Sequence, residues 1–123
     1  MTGKRILVVE DNPDNMALVR TLLKPLGVSL TEVKDGPSAL RIAQNARFDL
    51  VLLDIQIPVM DGYAVVRALR RLEHFAQTPI VAVTSYAMTG DRDKAIAAGC
   101  TGYIEKPLNP DTFVEEIGRI FRM

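Results

Sequence analysis

The chain has 123 residues, and its 15 Lys plus Arg balance 15 Asp plus Glu, so the formal net charge at pH 7 is zero. A chain of this length can bury a core of its own as one domain, and its balanced charge gives no general attraction to nucleic acid or to an anionic membrane. Its longest apolar runs fall short of the ~20 residues of a membrane span, and its single cysteine excludes an intrachain disulfide. We therefore expect a cytosolic protein with one domain over residues 1–123 and no output domain.

Short apolar runs alternate with segments of helical periodicity along the chain. The runs that predict strands are Arg5 to Val9, Val28 to Val33, Asp49 to Leu53, Pro79 to Thr84 and Gly102 to Glu105. Strands that alternate with helices predict a parallel sheet covered on both faces, with right-handed crossovers. The fold class is therefore predicted as α/β, a (βα)5 flavodoxin-like three-layer sandwich whose five parallel strands have the order 2-1-3-4-5.

The first and last helices begin with the same tripeptide, Asn-Pro-Asp, at Asn12 and at Asn109. Asn is a preferred N-cap, Pro loses no hydrogen bond at the first helical position, and Asp faces the positive end of the helix dipole. The second, third and fourth helices are predicted from apolar positions, which are Ala39, Leu40 and Ala43, then Val65, Val66, Leu69 and Leu72, and finally Ala95, Ile96 and Ala98.

Polar residues stand at four strand ends. They are Glu10 and Asp11 after the first strand, Asp54 after the third, Thr84 at the fourth and Lys106 after the fifth. In this fold a ligand site forms outside the carboxyl ends of the strands, between strands 1 and 3. Two carboxylates ~4 Å apart repel by roughly 4 kcal/mol at an effective dielectric near 20, so three in one crevice predict a cation. Oxygen ligands without nearby His or Cys favour Mg²⁺.

The same residues suit phosphoryl transfer. A carboxylate such as Asp54 is a competent nucleophile toward phosphorus, and the transfer depends mainly on positioning and on neutralising the phosphoryl oxygens. Mg²⁺, Lys106 and the Thr84 hydroxyl would surround those oxygens. The sequence has no glycine-rich nucleotide-binding loop, which argues against a nucleotide as the donor.

Four motifs, ILVVEDNPDN, DLVLLDIQIPVMDG, VAVTSYAM and GYIEKP, resemble the receiver domain of two-component response regulators. The resemblance spans nearly the whole chain, and the segments VEDNPDNM and VTSYAMTGD are most similar to stand-alone, DivK-like receivers. It implies that Asp54 is the phosphoacceptor, that Glu10, Asp11, Asp54 and the backbone carbonyl of Gln56 hold Mg²⁺, and that Lys106 contacts the phosphoryl group. It also implies a cis Lys106-Pro107 bond and a phosphohistidine donor on a histidine kinase or phosphotransfer protein.

The resemblance further implies a switch. The hydroxyl of Thr84 turns toward the phosphoryl oxygens and the ring of Tyr103 follows inward, which reshapes the face made by helix 4, strand 5 and helix 5 for a downstream protein. We expect Gln56 and Tyr86 to tune the phosphoryl lifetime, because both flank the route of the hydrolytic water. The large ring of Tyr86 would screen that water and adds no general base near neutral pH. The chain is thus interpreted as a signalling module rather than an enzyme, one that promotes its own phosphorylation and slow dephosphorylation.

Other classes fit the residues less well. An FMN carrier of the same fold needs a hydroxyl- and glycine-rich loop where this chain has EDNP, and a haloacid-dehalogenase-type phosphatase needs an Asp where this chain has Gln56. Arg67, Arg70 and Arg71 share a helical face that could be taken for a nucleic-acid surface, but in a neutral chain we interpret them as solvated. The remaining alternatives are a phosphorylation-independent adaptor with a receiver fold and a receiver excised from a larger hybrid protein.

Overall fold

The described residues, 3–57, 59–85 and 90–121 of a computed structural model, form a parallel sheet between two layers of helices. The strands are β1 Arg5–Val9, β2 Ser29–Val33, β3 Leu50–Asp54, β4 Ile80–Thr84 and β5 Gly102–Glu105. The helices are α1 Pro13–Leu23, α2 Gly36–Ala43, α3 Gly62–Arg71, α4 Asp91–Ala98 and α5 Pro110–Phe121, with 3-10 helices at Lys24–Leu26 and Glu73–Phe75. The observed order β2-β1-β3-β4-β5 confirms the predicted topology and fold class.

Each central strand sends its side chains alternately to two apolar layers. In β1, Ile6 and Val8 pack with α1 and α5, whereas Leu7 and Val9 pack on the opposite face with α2, α3 and α4. All five residues of β3 and of β4 are buried. Burial on both faces explains why these strands are continuously apolar rather than alternating.

The predicted helix starts are confirmed where the structure describes them. The side chain of Asn12 accepts hydrogen bonds from the backbone N–H groups of Asp14 and Asn15, at 2.8 and 3.1 Å. Asn109 accepts from the backbone N–H of Asp111 at 2.9 Å. The Lys106-Pro107 bond is cis, as the resemblance implies.

Three details differ from the sequence-based predictions. Strands β2, β3 and β4 each begin one residue later than predicted, and β3 ends one residue later, so Asp54 is its last residue. Ile96, which was expected to help place α4 against the sheet, is 50% exposed. The inner face of α4 is taken by Ala95 and Ala98, which are three residues apart and leave Ile96 on the outer side.

The third difference is Arg70. It was interpreted as solvated with its neighbours, but its guanidinium turns inward and donates to the backbone oxygens of Phe75 and Thr78, each at 2.6 Å, and of Gly99 at 2.9 Å. Arg67 and Arg71 are exposed.

No helix formed by the described residues is long and apolar enough to cross a bilayer.

Candidate functional site

Three carboxylates meet at the carboxyl edge of the sheet. Asp54 ends the central strand β3 and Glu10 directly follows β1, and they are only 6% and 5% exposed. Asp11 is exposed at the rim, yet one oxygen from each of Glu10, Asp11 and Asp54 lies within 4.8 Å of the others. The adjacency of β1 and β3, with Val9 opposite Leu53, brings these residues together.

Lys106, which directly precedes the cis proline, binds two of the three carboxylates. Its ammonium donates to Oε1 of Glu10 at 2.6 Å and to Oδ2 of Asp54 at 3.0 Å. The Lys106 side chain is 10% exposed, so this is a largely desolvated triad. Buried charges persist only when they are paired in this way.

The triad shifts the pKa values of Glu10 and Lys106 in the same direction for different reasons. Burial raises the pKa of Glu10, and the nearby Asp54 adds to this effect, so that the hydrogen bond from Lys106 only partly offsets them. Burial alone would lower the pKa of Lys106, but its contacts with Glu10 and Asp54 outweigh burial and raise the pKa. A raised pKa favours the neutral form of Glu10 but the charged form of Lys106. The reason is that one cation faces two anions, so Lys106 is held in its charged form more firmly than Glu10 is.

Backbone N–H groups fix the orientation of both buried carboxylates. The N–H of Gln56 donates to Oδ1 of Asp54 at 2.9 Å, and the N–H of Asn12 donates to Oε2 of Glu10 at 3.2 Å. Together with the two bonds from Lys106, every oxygen of Asp54 and Glu10 has a donor. The side chain of Asp54 is therefore held in one position at the mouth of the crevice.

Gln56 also makes contacts that its position in the sequence does not reveal. Its side-chain N–H donates to the hydroxyl of Thr84, and its side-chain oxygen accepts from the backbone N–H of Ser85 at 3.2 Å. Thr84 is the last residue of β4 and is 2% exposed. The structure thus places Thr84 beside the carboxylates through the amide of Gln56. The only signal for this in the sequence is that Gln56 and Thr84 follow or end neighbouring strands.

The ring of Tyr103, on β5, lies inside the layer formed by α3 and α4. Tyr103 is 8% exposed, and the guanidinium carbon of Arg92 lies 5.4 Å from the ring centroid. Its hydroxyl is buried and has no hydrogen-bond partner among the described residues. Burial, with the charge of Asp91 as a second cause, raises the pKa of this hydroxyl. Tyr86 lies outside the described residues.

Comparisons with known proteins agree with this architecture. The family model for the response regulator receiver domain matches residues 6–118. The polar-differentiation response regulator DivK of Brucella anthropi is 38% identical over 114 residues, which cover 93% of each chain.

Two solved structures show the same fold at appreciable identity. The receiver domain of the sensor histidine kinase PA1611 of Pseudomonas aeruginosa, with a magnesium ion coordinated in its active-site cleft, is 37% identical, covers 99% of this chain and 100% of that one, and has a TM-score of 0.90. The chemotaxis response regulator CheY4 of Vibrio cholerae is 33% identical, with coverage of 97% and 99% and a TM-score of 0.90. The matched motifs, the strand order and these likenesses establish that the chain belongs to the response regulator receiver domain family.

Proposed function

We propose that this protein accepts a phosphoryl group onto Asp54 from a phosphohistidine of a histidine kinase or a histidine phosphotransfer protein, and signals through altered protein binding. The observation that carries the proposal is the fixed carboxylate of Asp54 at the end of the central strand. Lys106 lies 3.0 Å from that carboxylate, and oxygens of Glu10 and Asp11 lie within 4.8 Å of it. Such an arrangement holds a nucleophile and its positive partner in place before the donor arrives.

The reaction we propose is a single displacement at phosphorus. An oxygen of Asp54 forms a bond to phosphorus, the P–N bond of the phosphohistidine breaks, and its electron pair remains on the imidazole nitrogen. Lys106 stays beside the acceptor and stabilises the charge of the phosphoryl oxygens. The hydroxyl of Thr84, on the neighbouring strand, is the second group that we assign to those oxygens.

The donor set of the crevice fits Mg²⁺. Glu10, Asp11 and Asp54 offer only carboxylate oxygens within a span that one ion can bridge, and we assign the backbone carbonyl of Gln56 as a further ligand. The ion would neutralise negative charge that Lys106 alone cannot balance. Because the unfolded chain has no such site, Mg²⁺ at ten times its dissociation constant should stabilise the fold by about 1.4 kcal/mol. Asp11→Asn should remove most of this gain in a thermal melt while leaving the metal-free protein folded.

The central test is phosphorylation itself. Incubation with acetyl phosphate and Mg²⁺ should add one phosphoryl mass to the wild type and none to Asp54→Asn, as measured by intact mass spectrometry. A screen against phosphorylated histidine kinases and phosphotransfer proteins should then identify donors. Labelling of Asp54→Asn at the wild-type rate would refute the assignment. Failure of the wild type to be labelled by any donor would favour the alternative, a phosphorylation-independent adaptor.

We assign the output to the face formed by α4, β5 and α5, with Thr84 and Tyr103 as switch residues. The support is the position of Tyr103 on β5, a strand of that face, because the ring is buried against α4 and Arg92 covers it. A partner recruited to phosphorylated protein should lose affinity on Tyr103→Ala, measured by calorimetry with the wild type as reference.

The lifetime of the phosphoryl group is assigned to Gln56 and Tyr86, with slow self-dephosphorylation as the expected outcome. Screening of the hydrolytic water by the Tyr86 ring predicts that Tyr86→Ala and Tyr86→Glu lose phosphoryl mass faster than the wild type. Unchanged or slower loss in both variants would show that Tyr86 does not shield the site.

We further propose that the chain works as a single receiver domain. The support is that it spans 93% of the DivK relative's own length. The alternative, a receiver within a larger protein, is kept open by the match to the PA1611 receiver domain. Immunoblotting of source cells for a band near 13.6 kDa decides between them.

A further inference from the structure

The side-chain amide of Gln56 occupies the polar groups at the end of β4. Its nitrogen donates to the Thr84 hydroxyl and its oxygen accepts from the N–H of Ser85 at 3.2 Å, while its backbone N–H holds Asp54 Oδ1 at 2.9 Å. One residue therefore bridges the end of β3, which carries Asp54, and the end of β4.

The groups that Gln56 occupies are those that a phosphoryl group on Asp54 would use. Asp54 stands opposite Val83 in the β3–β4 register, so Thr84 and Ser85 are the next residues toward the crevice. The Ser85 N–H donates to the Gln56 side-chain oxygen, whereas the Thr84 hydroxyl accepts from the Gln56 nitrogen and is thereby held toward Gln56. A tetrahedral group with three oxygens, attached to Asp54, needs donors at this place.

We infer that Gln56 is a positioning residue that acts as an internal plug: in the unphosphorylated protein its amide holds the Ser85 N–H and the Thr84 hydroxyl, and it must leave before Ser85 can donate to the phosphoryl group and Thr84 can turn toward it. This inference rests on the proposed function of Asp54. Gln56 itself is exposed, so its side chain can swing into solvent once its two hydrogen bonds, to Thr84 and from Ser85, are broken.

The expected effect follows from the two side-chain bonds. Each neutral hydrogen bond has a net value that corresponds to about a fivefold change in an equilibrium constant. Removing both should tighten binding of a phosphoryl analogue by about five- to thirtyfold. Gln56→Met tests this, because methionine keeps the length of the side chain and the backbone N–H to Asp54 but has no amide.

The probe is beryllofluoride with Mg²⁺, titrated by isothermal calorimetry into wild type, Gln56→Met and Gln77→Met. Gln77 is exposed and precedes β4, at the opposite end of that strand from Thr84, so Gln77→Met is a matched control that should bind as the wild type does. Tighter binding by Gln56→Met alone supports the plug. Equal or weaker binding by Gln56→Met overturns it while leaving the proposed function intact. If no protein binds the probe, wild type included, the proposed function falls and the plug falls with it.

Two further measurements separate a plug from a merely bulky neighbour. In a Thr84→Val background the gain from Gln56→Met should shrink, because the hydrogen bond between Gln56 and Thr84 is then already missing. An undiminished gain would show that Gln56 acts by obstruction and not through Thr84. In the free protein, the Ser85 N–H should exchange with solvent faster in Gln56→Met than in Gln77→Met, and equal exchange rates would also overturn the plug.

Discussion

Helices α4 and α5 pack on opposite faces of the sheet and are held there in different ways. Helix α5 inserts Phe113 and Ile117, which are 1% and 0% exposed, whereas the buried side chains of α4 are Ala95 and Ala98. Burying an isoleucine side chain stabilises a fold by roughly 1.5–3 kcal/mol, and an alanine contributes far less because it has only one methyl group. The hydrophobic contribution to the position of α5 is therefore much larger than that to α4.

The two helices also begin differently. Asn109 caps α5 with its side chain, but the N-cap residue of α4 is Gly90, which has a φ of 91° and offers no capping side chain. A glycine at the N-cap in place of asparagine typically costs a helix a few tenths of a kcal/mol. Helix α4 thus combines a small apolar contact with an uncapped start, which are the properties of elements that open or shift at low cost. This matches the output role that we propose for its face.

The end of α4 is fixed by polar contacts instead. Nε of Arg70, on α3, donates to the backbone oxygen of Gly99 at 2.9 Å, directly after α4. Gly99 has a φ of 117°, and a Cβ at this position would lie 2.9 Å from Cγ of Arg70. Glycine is therefore required both by the left-handed backbone and by the close approach of Arg70. Helix α4 is anchored at its C-terminal end and lightly held along its length.

The largest expected effect on stability appears when one isoleucine in each of the two helices is replaced by alanine. Ile117→Ala should destabilise the protein by about 2–5 kcal/mol, because it empties a fully buried site. Ile96→Ala, at a site that is 50% exposed, should cost at most about 0.5 kcal/mol. Urea unfolding followed by circular dichroism measures both. Similar costs for the two variants would contradict the contrast between α4 and α5.

The next largest effect on stability concerns Arg70, whose hydrogen bond to Gly99 holds the C-terminal end of α4. Arg70→Met should cost about 2 kcal/mol, because it removes charge-assisted bonds to the carbonyls of Phe75, Thr78 and Gly99. Arg67→Met, an exposed position on the same helix, is the matched control and should change the free energy of unfolding by less than about 0.5 kcal/mol. If both variants lose the same stability, Arg70 does not anchor α4.

The sequence predicted the features that follow from backbone periodicity and topology. Alternating strands and helices gave the strand order, and this order brought Glu10, Asp11 and Asp54 to one edge, as the structure places them. The roles of these side chains in phosphorylation and metal binding stay predictions.

The sequence could not predict contacts that depend on side-chain direction. Arg67, Arg70 and Arg71 look equivalent in a helical pattern, yet Arg70 turns inward and donates to the backbone carbonyls of Phe75 and Thr78. Likewise, a glutamine two residues after Asp54 has several staggered rotamers, and nothing in the sequence selects the one that reaches Thr84. Ile96 was misplaced because an alanine-rich helix offers little contrast between its faces.

The smallest predicted effect concerns the reactivity of Cys100. This residue lies just after α4, so the accessibility of its thiol depends on how well the C-terminal end of α4 is packed. Burial raises the pKa of its thiol from the ordinary 9.0 to about 11, although the positive charge of Arg70 acts in the opposite direction. At pH 7.5 the folded protein should therefore hold about a hundredfold less thiolate than a free thiol, since two pKa units separate them. Alkylation by iodoacetamide should be correspondingly slow in wild type and faster in Arg70→Met, where the C-terminal anchor of α4 is lost.

The same shift fixes the sign of a pH effect on stability. Between pH 9 and about 11 the folded thiol keeps a proton that the unfolded chain has released, so the contribution of Cys100 to stability is complete below pH 9 and is lost as the pH rises through that window. Measured against Cys100→Ala, in which the other titrating groups are unchanged, the wild type should lose relative stability only above pH 9. A constant difference from pH 7 to 10.5, or alkylation of native wild type at the rate of an exposed thiol, would show that Cys100 is open to solvent and that α4 is not fixed at this end.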